Sequence, residues 1–242
     1  QTYTRFELIV VDDGSKDASA EVVAQFSDSR LKYIAIQPNR GVCNARKTGL
    51  QASSGEIIAF MDQDDIFDPQ KLASHVAYHE ANPAVGFTYN AYFNLNHSST
   101  TIRDIMRPPD PVSLADLVLG FPIPPSIWVL KREWALREEL WDESTYFRGR
   151  EIVFCGRLFM AGCEFARVDG VLNYRRYHAG RIFGNLATKC EAELTCQEIV
   201  FADARCPDDV LALRDTANAN IYLLWVYVAF LQEETILGQE LL

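Results

Sequence analysis

The sequence has no excess of positive charge. Its 242 residues include 23 Lys and Arg against 33 Asp and Glu, which gives a formal net charge of −10 at pH 7. A nucleic-acid-binding protein is expected to carry a basic face that meets the phosphates. The charge balance therefore predicts that the chain has no nucleic-acid partner.

Glycine and proline are scarce as well. The chain contains 13 Gly and 10 Pro residues, and it shows no internal repeat or low-complexity tract. This composition excludes the collagen-like and disordered classes, and the lack of a period excludes repeat architectures. The 48% of hydrophobic residues is that of a globular protein, long enough to hold a core without a disulfide or a metal.

Cysteine pairs with metal-binding spacing are also missing. None of the six cysteines stands in a C-x-x-C pair, which argues against a zinc ribbon or a thioredoxin-like motif. The sequence starts at Gln1 and shows no basic segment followed by an apolar core, as a secretory signal peptide would. These features predict reduced, buried thiols in a cytoplasmic protein, either free or peripheral at the inner face of the membrane.

No apolar run is long enough to span a bilayer. The longest, Ile221 to Leu231, falls well short of the roughly 20 residues that a transmembrane helix needs. It predicts a C-terminal helix with too much apolar surface to leave in water, packed on the rest of the chain or on a second copy in a homo-oligomer. A peripheral membrane contact through this helix is the alternative, although its polar face lacks Lys and Arg.

The first third of the chain alternates between strand-like and helix-like segments. Apolar runs and helical spacing predict strands at 6–11, 31–36 and 56–61 and helices at 17–26, 42–52 and 69–82. This order is typical of βαβ units with a parallel sheet. We expect an α/β fold, in which a sheet is flanked by helices and followed by a helical C-terminal segment.

The rest of the chain is less regular. We predict strands at 85–93, 126–130, 165–168 and 171–177, helices at 113–119 and 151–161, and a long polar loop at 94–111. The pattern is helical from 185 onward. The sequence thus predicts two parts, an α/β domain at 1–184 and a helical extension at 185–242.

Carboxylates follow two of the early strands. Asp12 and Asp13 end the first strand, and Asp62, Asp64 and Asp65 end the third. Ligands of open α/β sheets bind beyond the carboxyl ends of the strands, where five acids would repel one another unless a cation offsets them. A Mg²⁺ or Mn²⁺ ion that holds a diphosphate suits such oxygen ligands. The alternative is that these residues only form turns and caps.

Three stretches, in this order, resemble a family 2 glycosyltransferase. They are FELIVVDDGS at 6–15, Asn39-Arg40-Gly41 with Ala45-Arg46, and Gly55-Glu56 leading to FMDQDD at 60–65. The resemblance is strong over residues 1 to about 70 and weaker over 147–178. It implies a GT-A fold, in which an α/β domain binds a nucleotide sugar and a D-x-D motif binds a metal.

The resemblance also implies roles for single residues. Asp13, with Asp12 beside it, matches the residue that reads the uracil edge of the nucleotide. Arg46 lies in the segment that lines the nucleotide pocket. Asp62 opens the D-x-D pair and would lie near the ribose or the sugar.

The implied metal ligands are Asp64 and His178. Asp64 is the second acid of the D-x-D pair, and His178 ends a Tyr-Arg-Arg-Tyr-His stretch like the late family motif whose His closes over the metal and diphosphate. A structural histidine is the alternative for His178. Mg²⁺ or Mn²⁺ is the expected cofactor.

Two departures from the family pattern affect the expected chemistry. The family's catalytic base sits in a Glu-Asp pair at the start of a helix, whereas this chain has Arg150-Glu151, so that Glu151 would be the base or, alternatively, only a helix cap. In addition, Gln1-Thr2-Tyr3 matches the end of the helix that follows the family's first strand. Without that central strand the sheet would contain an unpaired ladder, unless a longer natural protein or another segment supplies it.

The resemblance implies inverting transfer of a sugar from a nucleotide-diphosphate sugar, UDP-linked, to an acceptor hydroxyl. The acceptor would be an unidentified glycan or a lipid-linked acceptor, contacted by the segments 94–111 and 121–125. A catalytically impaired nucleotide-binding or regulatory module on the same fold is the alternative. A nucleotidyltransferase, which also uses strand-end carboxylates and Mg²⁺, is the third possibility.

Overall fold

The computed structural model describes residues 1–96, 101–121, 123–141, 150–176 and 185–231. It has a mixed α/β fold in which sheets are flanked by helices and helices follow at the C-terminal end. This is the fold class that the sequence predicts.

The elements follow one another in nearly the predicted order. The strands are β1 Leu8–Asp12, β2 Leu31–Ala35, β3 Ile57–Ala59, β4 Ile66–Phe67, β5 Val85–Leu95, β6 Ile102–Met106, β7 Val129–Lys131 and β8 Glu164–Arg176. The helices are α1 Ser19–Val23, α2 Val42–Ala52, α3 Lys71–Ala81, α4 Leu114–Val118, α5 Arg132–Ala135, α6 Arg150–Met160, α7 Leu186–Phe201, α8 Asp208–Leu211 and α9 Arg214–Leu231. Short 3₁₀ turns at Pro125–Ile127 and Glu138–Leu140 complete the described part.

The strands form two sheets. Strands β1 and β2 pair in parallel, with Leu8 opposite Leu31 and Asp12 opposite Ala35. The second sheet has the order β3-β7-β5-β8-β4, and β6 pairs with the end of β5. In this second sheet β5 and β8 run parallel, while β7 is antiparallel to both β3 and β5.

The three early strands therefore do not share one parallel sheet, contrary to the simple βαβ expectation. Strand β3 pairs with β7, and no described strand lies along its other edge or along the edge of β1 that faces away from β2.

The core lies on the β5–β8 pair. Phe87 of β5 and Phe165 of β8 stack with ring centroids 4.3 Å apart, and Trp128 packs against Phe87 at 5.9 Å. Strand β8 is continuous where two short strands are predicted, because the irregularity at Gly170 (φ +106°) is absorbed as a shift in register against β5. The positive φ favours glycine, which has no Cβ.

The prediction of a long loop at 94–111 is partly wrong. Residues Ile102–Met106 form β6, which pairs antiparallel with the end of β5. The strand was not predicted because its alternation places charged residues, Arg103 and Asp104, beside apolar ones on an exposed edge. Exposed edge strands carry a weak hydrophobic pattern.

The C-terminal helices contact the α/β part, but the prediction that the apolar stretch 221–231 is packed away is confirmed only in part. Trp225, Val226 and Ala229 are buried, while Tyr222, Leu223, Leu224, Tyr227 and Phe230 stay exposed. Val200 and Phe201 of α7 and Ala217 of α9 belong to the main core. Trp225 of α9 forms a smaller cluster with residues of α7. The division at 184/185 stays a prediction. Within the described residues, no helix is long and apolar enough to cross a membrane.

All six cysteines are free thiols. Cys43 is half-buried and the other five are buried, in nearly complete agreement with the sequence prediction. Burial raises the pKa of Cys163 to about 12 and that of Cys155 well above its ordinary value. These thiols therefore remain protonated at neutral pH and act as small apolar side chains.

Candidate functional site

The turn after β3 brings three carboxylates together. Ligand oxygens of Asp62, Asp64 and Asp65 all lie within 4.8 Å of one another. The backbone N–H of Asp65 donates to the carbonyl of Asp62 at 3.1 Å, which closes the turn. The carboxylate oxygens of the predicted D-x-D pair, Asp62 and Asp64, thus lie close to those of a third acid, Asp65.

Asp65 is the buried member of this group. Its side chain is only 4% exposed, and Oδ1 accepts a hydrogen bond from the backbone N–H of Arg176 at 3.2 Å. That bond ties the acidic turn to the end of β8. Three clustered carboxylates form a hard, all-oxygen donor set, and this chemistry fits Mg²⁺ or Mn²⁺ rather than a thiolate-preferring metal.

Arg46 on α2 forms an ion pair with the acidic turn. Its Nη2 lies 2.9 Å from Oδ1 of Asp62, and the two side chains are 15% and 26% exposed. The guanidinium of Arg46 therefore lies beside an acidic turn that holds two further carboxylates, those of Asp64 and Asp65. Sequence reasoning predicts both residues at the nucleotide site, and the structure brings them into contact.

Asp12 lies at the end of β1, where hydrogen bonds hold it in place. Oδ2 accepts from the Tyr33 hydroxyl at 2.5 Å, and Oδ1 accepts from the backbone N–H of Ser15 at 2.7 Å. The bond from Tyr33, followed by that from Ser15, lowers the pKa of Asp12. The same bond raises the pKa of Tyr33 to about 12. Asp12 is therefore ionised at neutral pH.

Asp13 caps the segment that leads into α2. Its carboxylate oxygens accept from the backbone N–H groups of Arg40 at 2.8 Å and Gly41 at 2.6 Å. An anion at this place is favoured by the positive end of the α2 dipole. Each oxygen has a further lone pair for another donor, because a carboxylate offers about four acceptor sites. The segment 41–46 thus bonds to both acids: the backbone N–H of Gly41 donates to Asp13, and the side chain of Arg46 donates to Asp62.

Glu151 lies in the first turn of α6 and borders two cavities. The smaller one, about 20 Å³, is also lined by Arg46 and Trp141. The larger one is a cleft of about 680 Å³ that is also lined by Asp62. The structure therefore brings the predicted base to the same site as two of the predicted nucleotide-binding residues.

A buried polar network supports the acidic turn from behind. The ammonium of Lys71 donates to the carbonyl of Ser126 and to Oδ1 of Asn173, both at 2.6 Å. The hydroxyl of Ser126 accepts from the backbone N–H of Asp62 at 3.1 Å. Burial lowers the pKa of Lys71 well below its ordinary value, while the charge of Asp65 opposes this shift. The network fixes where the turn begins.

The cleft wall includes one of the two segments predicted to contact the acceptor. Phe121 and Ile123–Pro125 line the cleft, whereas none of the described residues of 94–111 does. Arg175, near the end of β8, also lines it. His178 and the tyrosine before it lie outside the described residues, so the prediction for His178 stays a prediction.

Two residues were not singled out by sequence reasoning: Lys71, which supports the acidic turn, and Gln197, which lines the cleft. For Lys71 a signal exists, because Lys71, His75 and His79 recur every four residues along α3 and are all buried. Polar residues at helical spacing on a face predicted to be buried indicate a polar network. The sequence gives no comparable signal for Gln197, because it is one of several polar residues in α7.

Comparison with known proteins identifies the family. The model of "Glycosyl transferase family 2" matches residues 1–136. A UDP-Glc:alpha-D-GlcNAc-diphosphoundecaprenol beta-1,3-glucosyltransferase of Escherichia coli, WfgD, is 39% identical over 99 residues, which cover 41% of this chain and 39% of WfgD. A second E. coli protein of the same description, WfaP, is 24% identical over 185 residues, 76% of this chain and 71% of WfaP.

Other matches cover less of the related protein. The glycosyltransferase GlyA of Streptococcus pneumoniae is 40% identical over 103 residues, 40% of this chain but 14% of GlyA. The chain thus spans well under half of the length of the WfgD and GlyA proteins it matches.

Among solved structures, residues 1–349 of Staphylococcus aureus TarS in complex with UDP-GlcNAc superpose with a TM-score of 0.66. The superposition covers 89% of this chain and 62% of the TarS 1–349 chain at 16% sequence identity. At this identity the likeness concerns the fold.

Proposed function

The chain belongs to glycosyl transferase family 2, and on that basis we propose that it transfers a sugar from a UDP-sugar to an acceptor hydroxyl with inversion. The observation that carries the proposal is the shared cleft, which is lined by both Asp62 of the acidic turn and Glu151 of α6. A single displacement needs a donor site and a base on opposite sides of the reacting carbon, and this cleft offers one candidate group for each.

The donor end would use Asp12, Asp13, Arg46 and Asp62. The uracil would be read by Asp13 with Asp12 beside it, since both lie at the end of β1 and retain acceptor capacity. Arg46 carries a positive charge beside Asp62 and would face the nucleotide. The name of WfgD includes a UDP-sugar, and TarS was crystallised with one, which supports UDP as the nucleotide.

Asp64 would be the main metal ligand, with Asp62 and Asp65 beside it. When bound there, Mg²⁺ or Mn²⁺ would supply positive charge that stabilises the departing diphosphate. Asp65 would keep its position during this step because its other oxygen is bonded to the backbone of β8.

Glu151 would act as the general base. Its carboxylate accepts the proton of the acceptor hydroxyl while the acceptor oxygen forms a bond to the anomeric carbon. The bond from that carbon to the β-phosphate oxygen breaks, and the electron pair leaves with UDP. The acceptor is a glycan or a lipid-linked sugar, and the names of WfgD and WfaP, which include a lipid diphosphate, support the second choice.

The test is the release of UDP. The chain is incubated with UDP-sugars, Mn²⁺ and a panel of acceptors, and free UDP is measured. We expect Glu151→Gln to keep UDP affinity, measured by calorimetry, and to lower turnover by about 10²–10⁴-fold, the usual effect of removing a general base. Glu164→Gln, an exposed glutamate at the start of β8, is the matched control and should turn over like the wild type.

Each alternative has its own outcome. A Glu151→Gln variant as active as the wild type would assign the base to another residue. A wild type that binds UDP but releases none from any donor would favour the nucleotide-binding module.

A further inference from the structure

One face of helix α9 is apolar and exposed. Leu223, Tyr227 and Phe230 are 58%, 61% and 46% exposed, and Thr216 and Ala219, nearer the start of the helix, are exposed as well. These five residues, here called the α9 stripe, follow one another at spacings of three and four and so share one helix face about 20 Å long. Large apolar side chains that cluster on a protein surface mark an interaction site.

The other side of α9 is already occupied. Trp225 and Ala229 are buried there in a cluster with Leu186 and Cys190 of α7. This packing fixes which face of the helix points outward. The α9 stripe is therefore presented to a partner outside the chain.

The α9 stripe is complementary to a second copy of itself. When two copies of a helix pair antiparallel about a twofold axis, the residue on the axis faces its own copy, and positions equally far before and after it face each other. Leu223 is the midpoint of the stripe, so Tyr227 would face Ala219 and Phe230 would face Thr216. Each large side chain thus meets a small one, which lets two helices interdigitate. A parallel pair would instead place each aromatic ring against its own copy.

Charge also favours a second copy over a membrane. Residues 216–231 include no Asp, Glu, Lys or Arg, so a symmetric contact brings no like charges together. A helix that lies on a bilayer carries Lys and Arg beside its apolar face, and an anionic bilayer would repel a chain with a net charge of −10. The α9 stripe therefore fits another copy of this chain better than a lipid surface.

The exposed area is enough for a weak dimer. Tyr222 and Leu224 flank the α9 stripe and are also exposed. With roughly 150–250 Å² for each aromatic side chain, the stripe and its two flanking residues expose on the order of 500 Å². Two copies would bury about 1,000 Å² in all, the lower limit for a specific interface. We therefore expect a monomer in dilute solution and a dimer at higher concentration, so that a substitution in the stripe weakens association without lowering the Tm of the dilute monomer.

We propose that the chain forms a twofold-symmetric dimer in which two α9 helices pack antiparallel across Leu223. The proposal concerns a surface away from the acidic turn and does not rest on the proposed function. Because Leu224 both flanks the α9 stripe and lines the large cleft, the clefts of the two copies would lie beside the dimer interface.

Sedimentation of the full chain tests the dimer. Between about 1 and about 200 μM we expect a monomer–dimer equilibrium with a Kd of about 1–100 μM. Leu223→Glu would place two carboxylates against each other on the axis and should raise the Kd at least about tenfold. Leu136→Glu, at an exposed leucine just after α5, is the matched control and should leave the Kd unchanged.

Introduced cysteines test the antiparallel register. The two copies of position 223 would be adjacent, so Leu223→Cys should form an intermolecular disulfide when oxidised with copper phenanthroline. The two copies of position 227 would lie about 12 Å apart along the helix axes, so Tyr227→Cys alone should not cross-link, whereas an equimolar mixture of Tyr227→Cys and Ala219→Cys should. The wild type, in which Cys43 is the one cysteine that is not buried, is the blank.

Each contrary result would overturn the proposal. A chain that stays monomeric at about 200 μM forms no such dimer. A dimer whose Kd is unchanged by Leu223→Glu uses another surface, and self-linking of Tyr227→Cys as efficient as that of Leu223→Cys would mean a parallel or non-specific contact. A monomer that binds phosphatidylcholine vesicles, and loses this binding in Leu223→Glu, would assign the α9 stripe to a membrane surface.

Discussion

At the scale of single residues, buried polar groups hold the acidic turn in position. Lys71 is fully buried and lies close enough to Asp65 for the two charges to interact. Its ammonium is satisfied by the carbonyl of Ser126 and the amide of Asn173 rather than by water. A buried cation without such partners would be unfavourable, so the lysine and its acceptors act as one unit. The unit explains how three carboxylates stay together in one turn.

Asp64→Ala tests the metal assignment. Without Asp64, the diphosphate would face the remaining carboxylates with less positive charge to offset them, so we expect Mn²⁺-dependent UDP affinity to fall by about tenfold or more. Calorimetry with and without Mn²⁺ measures it. Asp169→Ala, an exposed aspartate in β8, is the matched control and should bind like the wild type. An Asp64→Ala variant with unchanged Mn²⁺-dependent affinity would show that the acidic turn is not the metal site.

His75 makes stability depend on pH. Its Nε2 lies 2.9 Å from Oδ1 of Asn90, and its Nδ1 lies 2.8 Å from the Thr88 hydroxyl. The amide of Asn90 donates to Asn173, which leaves Oδ1 of Asn90 to accept from Nε2–H of His75. Burial, and then the charge of Lys71, lower the pKa of His75 well below its ordinary value of 6.5.

The sign of the pH effect follows from that shift. In the unfolded chain His75 takes up a proton near pH 6.5, while in the folded chain its lowered pKa means that protonation requires a more acidic pH. The free energy of unfolding should therefore fall as the pH drops below about 6.5, by up to about 1.4 kcal/mol per pH unit for this group. Urea denaturation between about pH 7 and about pH 5.5 measures the slope, and His75→Gln should flatten it although it lowers stability. An equal slope in the variant would show that His75 is not the group responsible.

At the scale of elements, the sequence predicts the helices and strands that have a local residue pattern. It misses those strands that depend on pairing with a partner distant in the chain. Helix α4 is predicted from Ser113, and the structure shows the full capping box, in which Ser113 and Asp116 bond each other's backbone N–H. Strand β6 is missed because its partner, the end of β5, is close in space but supplies no local hydrophobic pattern. The joining of two predicted strands into β8 is missed for the same reason, since only the partner β5 shows that the register resumes after Gly170.

The site divides in the same way. Acids at strand ends can be recognised from the sequence, because their position beyond an apolar run is itself the signal. The contacts of Lys71 and Gln197 depend on how α3 and α7 pack against the rest of the chain, and the local sequence does not encode that packing. The association of Asp62 with Arg46 is predicted in part from the sequence. The resemblance predicts both at one site, but the ion pair itself comes from the packing of α2.

Trp225→Ala tests how α9 is attached. Trp225 is 2% exposed, packs with Leu186, Cys190 and Ala229, and donates from its indole N–H to Glu193 at 3.0 Å. Removing a buried tryptophan usually costs about 3–5 kcal/mol, and in a chain of this size that lowers Tm by roughly 6 °C or more. Thermal denaturation measures the shift. Tyr227→Ala, at an aromatic residue that is 61% exposed on the same helix, should change Tm little. Equal shifts in both variants would contradict the packing of α9 on α7.

At the scale of the whole molecule, the two sheets differ in how firmly they are held. Strands β5 and β8 lie inside the second sheet and carry the main core. Strands β1 and β2 form a two-stranded sheet in which no residue is fully buried. This first sheet is joined to the rest through α2 and through Glu7, just before β1. The Glu7 carboxylate accepts from the backbone N–H groups of Ser54 at 2.6 Å and Gly55 at 3.2 Å, just before β3.

This difference predicts uneven hydrogen exchange. A two-stranded sheet has little independent stability, so it should open without global unfolding, whereas β5 and β8 should exchange only when the whole core opens. Exchange followed by mass spectrometry should show the peptides of β1 and β2 exchanging at least about 100-fold faster than those of β5 and β8. Glu7→Ala should accelerate exchange in the first sheet alone, because it removes the bonds to Ser54 and Gly55. Glu164→Ala, which removes an exposed glutamate at the start of β8, is the control and should leave the first sheet unchanged. Equal exchange rates in both sheets, with Glu7→Ala accelerating both, would mean that the molecule opens as one cooperative unit and that the first sheet draws its stability from the same core.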